Sequence, residues 1–262
     1  MRKVDKLKNY VGSFNVFMKP KYFSLLFFFI LSTKIASAQN KGLVDEQMIW
    51  AAYYNSIALN SKFSINSDIQ GRTKGWYQHW SQALIRTGLN YKINDKISIT
   101  GGLADFFYFE KNNILNRNEW RFWEEIAYTQ KRPKLQIIHR FRTEQRFFNT
   151  IENKKIIQNS IEFNRFRYRF EIQISIKNET SILFGNEFML TTKSDFSNPS
   201  FDQNRIYTGV NKKLNDNFML QIQLVLIQQK STDNDPFNET FVIRTNLYHT
   251  IKLKRSDDGS KK

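Results

Sequence analysis

Arginine and glutamate recur at alternate positions through much of this chain, and guanidinium and carboxylate groups so spaced can do two kinds of chemistry. They can pair with one another, or an excess of guanidinium can hold oxyanions, often with two parallel hydrogen bonds. In residues 139–147, Arg140, Arg142, Glu144 and Arg146 alternate with His139, Phe141, Thr143 and Phe147. In residues 165–174, Arg165, Arg167, Arg169, Glu171 and Gln173 alternate with Phe166, Tyr168, Phe170, Ile172 and Ile174. The same parity elsewhere adds Arg72, Arg86, Arg121, Glu125, Glu187, Arg205 and Arg244. Side chains two apart on a strand share a face, so each such strand has one charged and one apolar side.

Other chemistry has little to work with. The histidines are His79, His139 and His249, far apart in sequence and outside any local motif. A Ser–His–acid hydrolase needs its base within hydrogen-bond reach of the nucleophile, and nothing here announces that arrangement. His139 shares the parity of the apolar face, which keeps open an enzyme acting on lipid from the outer wall. Three scattered histidines and no cysteine make a poor zinc site. Phosphate-cradling glycine loops are absent, and Gly71, Gly75, Gly101 and Gly102 read as strand or turn residues. No catalytic residue, metal ligand or cofactor is expected. The basic and aromatic residues of 165–170 suggest single-stranded nucleic acid at first sight. On a strand they point to opposite faces and cannot form one stacking platform, so no nucleic-acid partner is expected.

The elements that carry these residues read as long strands. The period is two almost throughout residues 46–57, 62–72, 80–92, 96–109, 119–130, 134–148, 158–176, 180–191, 201–213, 217–230 and 239–253. Most of these segments exceed the roughly 5–6 residues of ordinary globular strands and suit the roughly 9–11 needed to cross hydrocarbon. Short turns at 59–61, 94–95, 131–133, 177–179 and 215–216 alternate with polar loops at 73–79, 110–118, 149–157, 193–200 and 231–238. That alternation suits a transmembrane barrel with short periplasmic turns and longer extracellular loops. Trp50, Trp76, Trp80, Trp120 and Trp123 fall near strand ends or loops, where aromatic girdles are expected.

Eleven segments conflict with the even strand number of bacterial single-chain barrels. The expected fold is an all-β, antiparallel transmembrane barrel of 10–12 strands: twelve, with one strand more than the segments show, or ten, if the first does not span.

Residues 19–38 read as a secretory signal. Lys19 and Lys21 precede an apolar run over 22–31, and Ala36, Ser37 and Ala38 form a small-residue cleavage site before Gln39. The run is about half the roughly 20 residues of a membrane helix. Met18 is an alternative start. Three regions follow: a signal peptide over 1–38, a barrel over 39–254 and a polar tail over 255–262. Residues 1–38 hold seven of the 40 basic and one of the 24 acidic side chains, leaving 33 and 23, a net charge of +10. An exported, cysteine-free chain suits an oxidising compartment.

Together these stretches resemble the domain of unknown function 2490 family, inferred outer-membrane barrels found mainly in Bacteroidetes. The resemblance is carried by KFSINSDIQGR at 62–72, HRFRTEQRF at 139–147, RFRYR at 165–169, and NE at 186–187 with FDQNRIY at 201–207. It implies an outer-membrane barrel of about this size and brings no activity, ligand or functional residue.

The expectation is therefore a non-enzymatic barrel in the outer membrane of a Gram-negative bacterium, in contact with its lipid. Arg facing lipid near the midplane would cost roughly 2–4 kcal/mol, so the charged face must line the lumen. There it is a structural ion-pair ladder, the preferred reading, or a path for small anionic solutes. No protein partner can be named. The alternatives are a barrel-embedded lipid-modifying or hydrolytic enzyme, and a soluble periplasmic β-sandwich that binds an acidic partner.

Overall fold

The computed structural model describes residues 46–152, 155–156, 161–230 and 237–253. The signal peptide expected over 1–38, the cleavage site and the polar tail lie outside them.

All eleven expected segments form strands: β1 (Glu46–Ala58), β2 (Phe63–Lys74), β3 (His79–Lys92), β4 (Ile97–Phe109), β5 (Leu115–Lys131), β6 (Leu135–Glu152), β8 (Ile161–Ser175), β9 (Thr180–Lys193), β10 (Ser200–Lys213), β11 (Phe218–Gln229) and β12 (Asn238–Lys252). The remaining strand, β7 (Lys155–Ile156), is a two-residue extension of the β6 hairpin and takes no part in closure. Neighbours in sequence pair antiparallel around the sheet, with β6 pairing β8, and the ring is completed between β1 and β12.

That last pairing corrects the expected strand count and the all-antiparallel description. β1 and β12 run parallel, in register from Glu46↔Thr240 to Ala58↔Lys252. A barrel of up-and-down strands has antiparallel first and last strands only when their number is even. With eleven, the two ends point the same way, and a parallel ladder satisfies both edges. The barrel formed by the described residues is thus closed, mixed and eleven-stranded, and its first strand takes part in closure.

The hairpins explain why the strands start where they do. Asn60, Asn94 and Asn215 each accept two backbone N–H bonds through Oδ1, from the second and third residues onward, at 2.8–2.9 Å. An asparagine side chain that imitates a backbone turn in this way is a strong local stop signal. In the fourth such turn Asn178 and Glu179 have φ of 51° and 57°, the left-handed pair that matches hairpin twist. At the opposite end the first loop is shorter than expected. β2 and β3 extend to Lys74 and His79, leaving only residues 75–78 between them.

The interior is mixed rather than apolar. Gln223, Glu119, Glu187 and Asn246 are fully buried beside Leu183, Met189, Val225 and Val242, whereas Ile69 is 60% exposed and Phe141 57%. Outward residues such as Ile85, Leu103, Phe122, Phe184, Ile206 and Leu224 form an exposed apolar belt. Inside, Gly88 and Gly185 let rings lie flat on the wall. A Cβ on Gly88 would sit 2.6 Å from the Trp123 ring, and one on Gly185 2.3 Å from the Tyr207 ring.

Candidate functional site in the barrel interior

The interior is built from the inward parity of the strands, and register sets its problem. Across β5, β6 and β8 it places Arg121 opposite Arg146, Arg142 opposite Arg167 and Arg140 opposite Arg169. Like charges directly opposite destabilise a sheet, so stability requires carboxylates between the rows. Glu119 accepts from Arg121 Nε at 2.6 Å and Arg146 Nε at 2.5 Å. Glu125 accepts from Arg142 Nη2 at 2.6 Å and lies 3.5 Å from Arg140. Glu144 accepts from Arg121 Nη1 at 3.0 Å and Arg167 Nη1 at 2.5 Å, with Arg142 and Arg165 within 4 Å. Glu187 accepts from Arg140 Nη2 at 2.5 Å and from Arg167 Nη2 at 2.9 Å through both oxygens; Arg205 and Arg169 lie at 3.7 and 4.0 Å. Each of these carboxylates bridges at least two guanidiniums, which makes a lattice rather than isolated pairs.

Rings support the lattice from the wall. Arg86 and Arg142 lie over Trp123, at 5.5 and 4.5 Å from the ring centroid. Arg72 and Arg205 lie over Trp50 at 4.2 and 5.3 Å, and Arg169 and Arg244 over Tyr207 at 5.3 and 5.5 Å. Trp50 and Trp123 are therefore interior residues, which corrects the expectation that all five tryptophans belong to rim girdles. Trp76, Trp80 and Trp120 are exposed.

All fifteen charged residues expected on the lumen parity point inward, but they do not form one uniform ladder. Those on β5, β6, β8 and β9 other than Glu171 enter the lattice, with Arg205 of β10 at its edge. Glu171 bonds to the Tyr207 hydroxyl at 2.8 Å and to Gln173 at 2.6 Å. Arg86 pairs with Asp68 at 2.7 Å and Arg165 with Asp202 at 2.6 Å. Arg72 and Arg244 have no carboxylate within 4 Å among the described residues. The enclosed space that remains, about 500 Å³, is lined by twelve arginines and two glutamates together with amides and tyrosines. Pairing with Asp68, Glu119, Glu125, Glu144 and Asp202 offsets part of that charge, and the balance is positive.

The inward charge pattern is one that a family profile can carry. The profile described as Protein of unknown function (DUF2490) matches residues 47–238, from β1 to the first residue of β12. The chain belongs to the DUF2490 family. A search of curated proteins finds no match for this DUF2490 barrel. Among solved structures it is similar to the NanC porin, described as a rhombohedral crystal form, at 8% identity and a TM-score of 0.45. That alignment covers 77% of this chain and 98% of the porin chain.

Several residues of the DUF2490 interior were not anticipated. Glu119 shares the parity of Arg121 and Glu125, and Asp68 that of Arg72, so extending the same alternation would have found both. Asp202 sits at an irregularity in the β9–β10 register between Phe201 and Gln203, where simple alternation fails. Two of the histidines bond to tyrosine hydroxyls. His139 Nδ1 bonds to the Tyr168 hydroxyl at 2.9 Å on the outer wall, and His249 Nδ1 lies 2.7 Å from the Tyr53 hydroxyl. These partners are phenols, not a serine or a carboxylate.

Proposed function

We propose that this protein is a non-enzymatic outer-membrane barrel whose outer belt contacts lipid and whose bore is held by the Arg/Glu lattice while admitting small anions. The observation that carries this reading is the outward belt of Ile, Leu, Val and Phe around an interior in which carboxylates and amides are wholly buried. Such a surface in water would be an aggregation liability. In lipid it is what a spanning strand presents, and a closed sheet leaves no backbone edge unpaired. On this reading the short turns face the periplasm and the longer loops the outside.

The lattice and the anion path share one cavity, since Arg121, Arg140, Arg142, Arg146, Arg167 and Glu187 belong to the one and line the other. Where each guanidinium meets a carboxylate the ion pairs fasten strands together. The cavity, lined by twelve arginines and two glutamates, keeps a positive potential that favours anions, as rings of Arg do in anion pores. A soluble sandwich is disfavoured because the chain forms one closed sheet rather than two packed ones. A hydrolase has no supporting constellation.

The reading is tested in planar bilayers under a potassium chloride gradient. The reversal potential should report chloride preference and move toward zero in Arg72→Gln/Arg244→Gln. A cation-selective or unselective conductance in the parent protein would reject an anion path.

A further inference from the structure

The outer wall carries a carboxylate that lipid does not suit, and we infer that the surface around it, on β3, β4 and β5, joins two copies of this chain side by side in the membrane. The inference rests on the outer-membrane reading above and adds a partner to it.

Glu124 has the outward parity of β5 and is exposed. On that face it stands four residues from Trp120 and four from Tyr128, with Phe122 and Ile126 as its exposed neighbours. It therefore lies halfway along the apolar belt. A charged side chain turned to hydrocarbon is costly, most of all near the midplane. The wall offsets part of this: Thr143 Oγ1 donates to Glu124 Oε2 at 2.7 Å, and Gln145 Nε2 reaches the same oxygen at 3.4 Å. Both bonds end on Oε2, and among the described residues no donor reaches Oε1. Other outward polar groups are satisfied where they stand. Asn186 Nδ2 donates to Asn204 Oδ1 at 2.7 Å, Thr208 Oγ1 to the Leu183 carbonyl at 3.1 Å, and Asp105 accepts from Asn118 at the level of Trp120.

The donor that Glu124 lacks is present on β3. Thr87 is exposed on the outward face, four residues from Tyr91 as Glu124 is four from Tyr128, and its hydroxyl lies 3.0 Å from that of Ser67. With Ser67 donating to Thr87, the Thr87 proton is left to donate onward. Between the two strands, Gly101 of β4 pairs with Leu89 on one side and Glu124 on the other. A Cβ at Gly101 would meet nothing within 4 Å, so the wall dips there between the exposed Ile99 and Leu103.

Two copies inserted the same way are related by a two-fold axis along the membrane normal, and such an interface is self-complementary. With the axis at Gly101, β3 of one copy faces β5 of the other. Thr87 of each then meets Glu124 of its partner at a common level, each one strand spacing, about 5 Å, from β4. The paired glycines permit close approach, and two Ser67–Thr87–Glu124 chains cross the contact. Apolar faces have no mutual drive to associate in lipid; close packing at small residues and hydrogen bonds between polar groups supply it. Acyl chains offer Oε1 no donor, whereas a second copy does.

The full-length chain has no cysteine, which makes cross-linking specific. In membranes from cells making the protein, Gly101→Cys should form a disulfide-linked dimer under a lipophilic oxidant. Ile222→Cys, exposed on β11 at the far side of the ring, should not. In vesicles of increasing lipid content, energy transfer between labelled copies should report a dimer that Glu124→Leu and Thr87→Val each weaken roughly tenfold or more, because two bonds are lost per dimer. Heat-dependent gel mobility shows that each variant is folded, and the cysteine pair needs neither of the other two. A monomer at every dilution, equal linking at both cysteines, a Gly101→Cys product of another protein's size, or indifference to both substitutions would overturn the pairing. A monomer found in the membrane leaves the outer-membrane reading intact; absence from the membrane fraction removes both.

Discussion

Removing the charge of Glu187 should destabilise the barrel by about 4 kcal/mol, and the figure follows from its surroundings. The carboxylate is 1% exposed and takes three charge-assisted hydrogen bonds, one from Arg140 at 2.5 Å and two from Arg167 at 2.9 Å. Arg205 and Arg169 stand at 3.7 and 4.0 Å. Hydrogen bonds to charged groups contribute roughly 1.5–3 kcal/mol each. In Glu187→Gln the amide nitrogen must also face a guanidinium, donor against donor, and four cations lose their shared counter-charge. The losses overlap, so they do not sum; breaking one member of a buried pair typically costs about 3–5 kcal/mol. Urea unfolding in lipid vesicles, followed by the mobility of folded and unfolded bands, gives the change from the midpoint and slope. Glu124→Gln is the matched control, since that carboxylate lies on the outer wall with Thr143 and Gln145 as partners at 2.7 and 3.4 Å; it should change stability by less than about 1 kcal/mol. A Glu187→Gln barrel as stable as the control would refute the claim that the lattice fastens the strands.

Two further outcomes follow from which way the side chains face. Leu224→Arg, in the exposed belt, should cost roughly 2–4 kcal/mol in a bilayer, whereas the same change on a wetted surface would stay within about 0.5 kcal/mol; vesicle-based unfolding separates the two. The chain has no cysteine, so single-cysteine variants report topology cleanly: on intact cells a membrane-impermeant maleimide should label Tyr77→Cys in the first loop and spare Asp216→Cys in the last short turn, and the reverse pattern would invert the barrel.

Much of this was legible because a strand's two faces are written in alternate letters. The eleven segments could be marked within a few residues, and the inward set from Arg140 to Arg146 and Arg165 to Arg169 read directly, because lipid and lumen demand opposite side chains. Closure was not legible. The parallel ladder between β1 and β12 joins residues nearly 200 positions apart, and no local pattern distinguishes it from two unpaired edges. For Trp50 and Trp123, proximity to a strand end suggests the rim, but parity points both inward, where they are buried. Gln70, Gln82 and Gln223 look like unremarkable polar residues in the sequence, and only register shows them bonded to Arg72 and Arg244.

An apolar exterior of this kind belongs in lipid. Membranes from cells making the protein should keep it in the pellet after an alkaline carbonate wash, and the unheated sample should run ahead of the boiled one on a gel, as a closed, detergent-resistant barrel does. Release into the supernatant as a soluble species with no heat-dependent shift would contradict it.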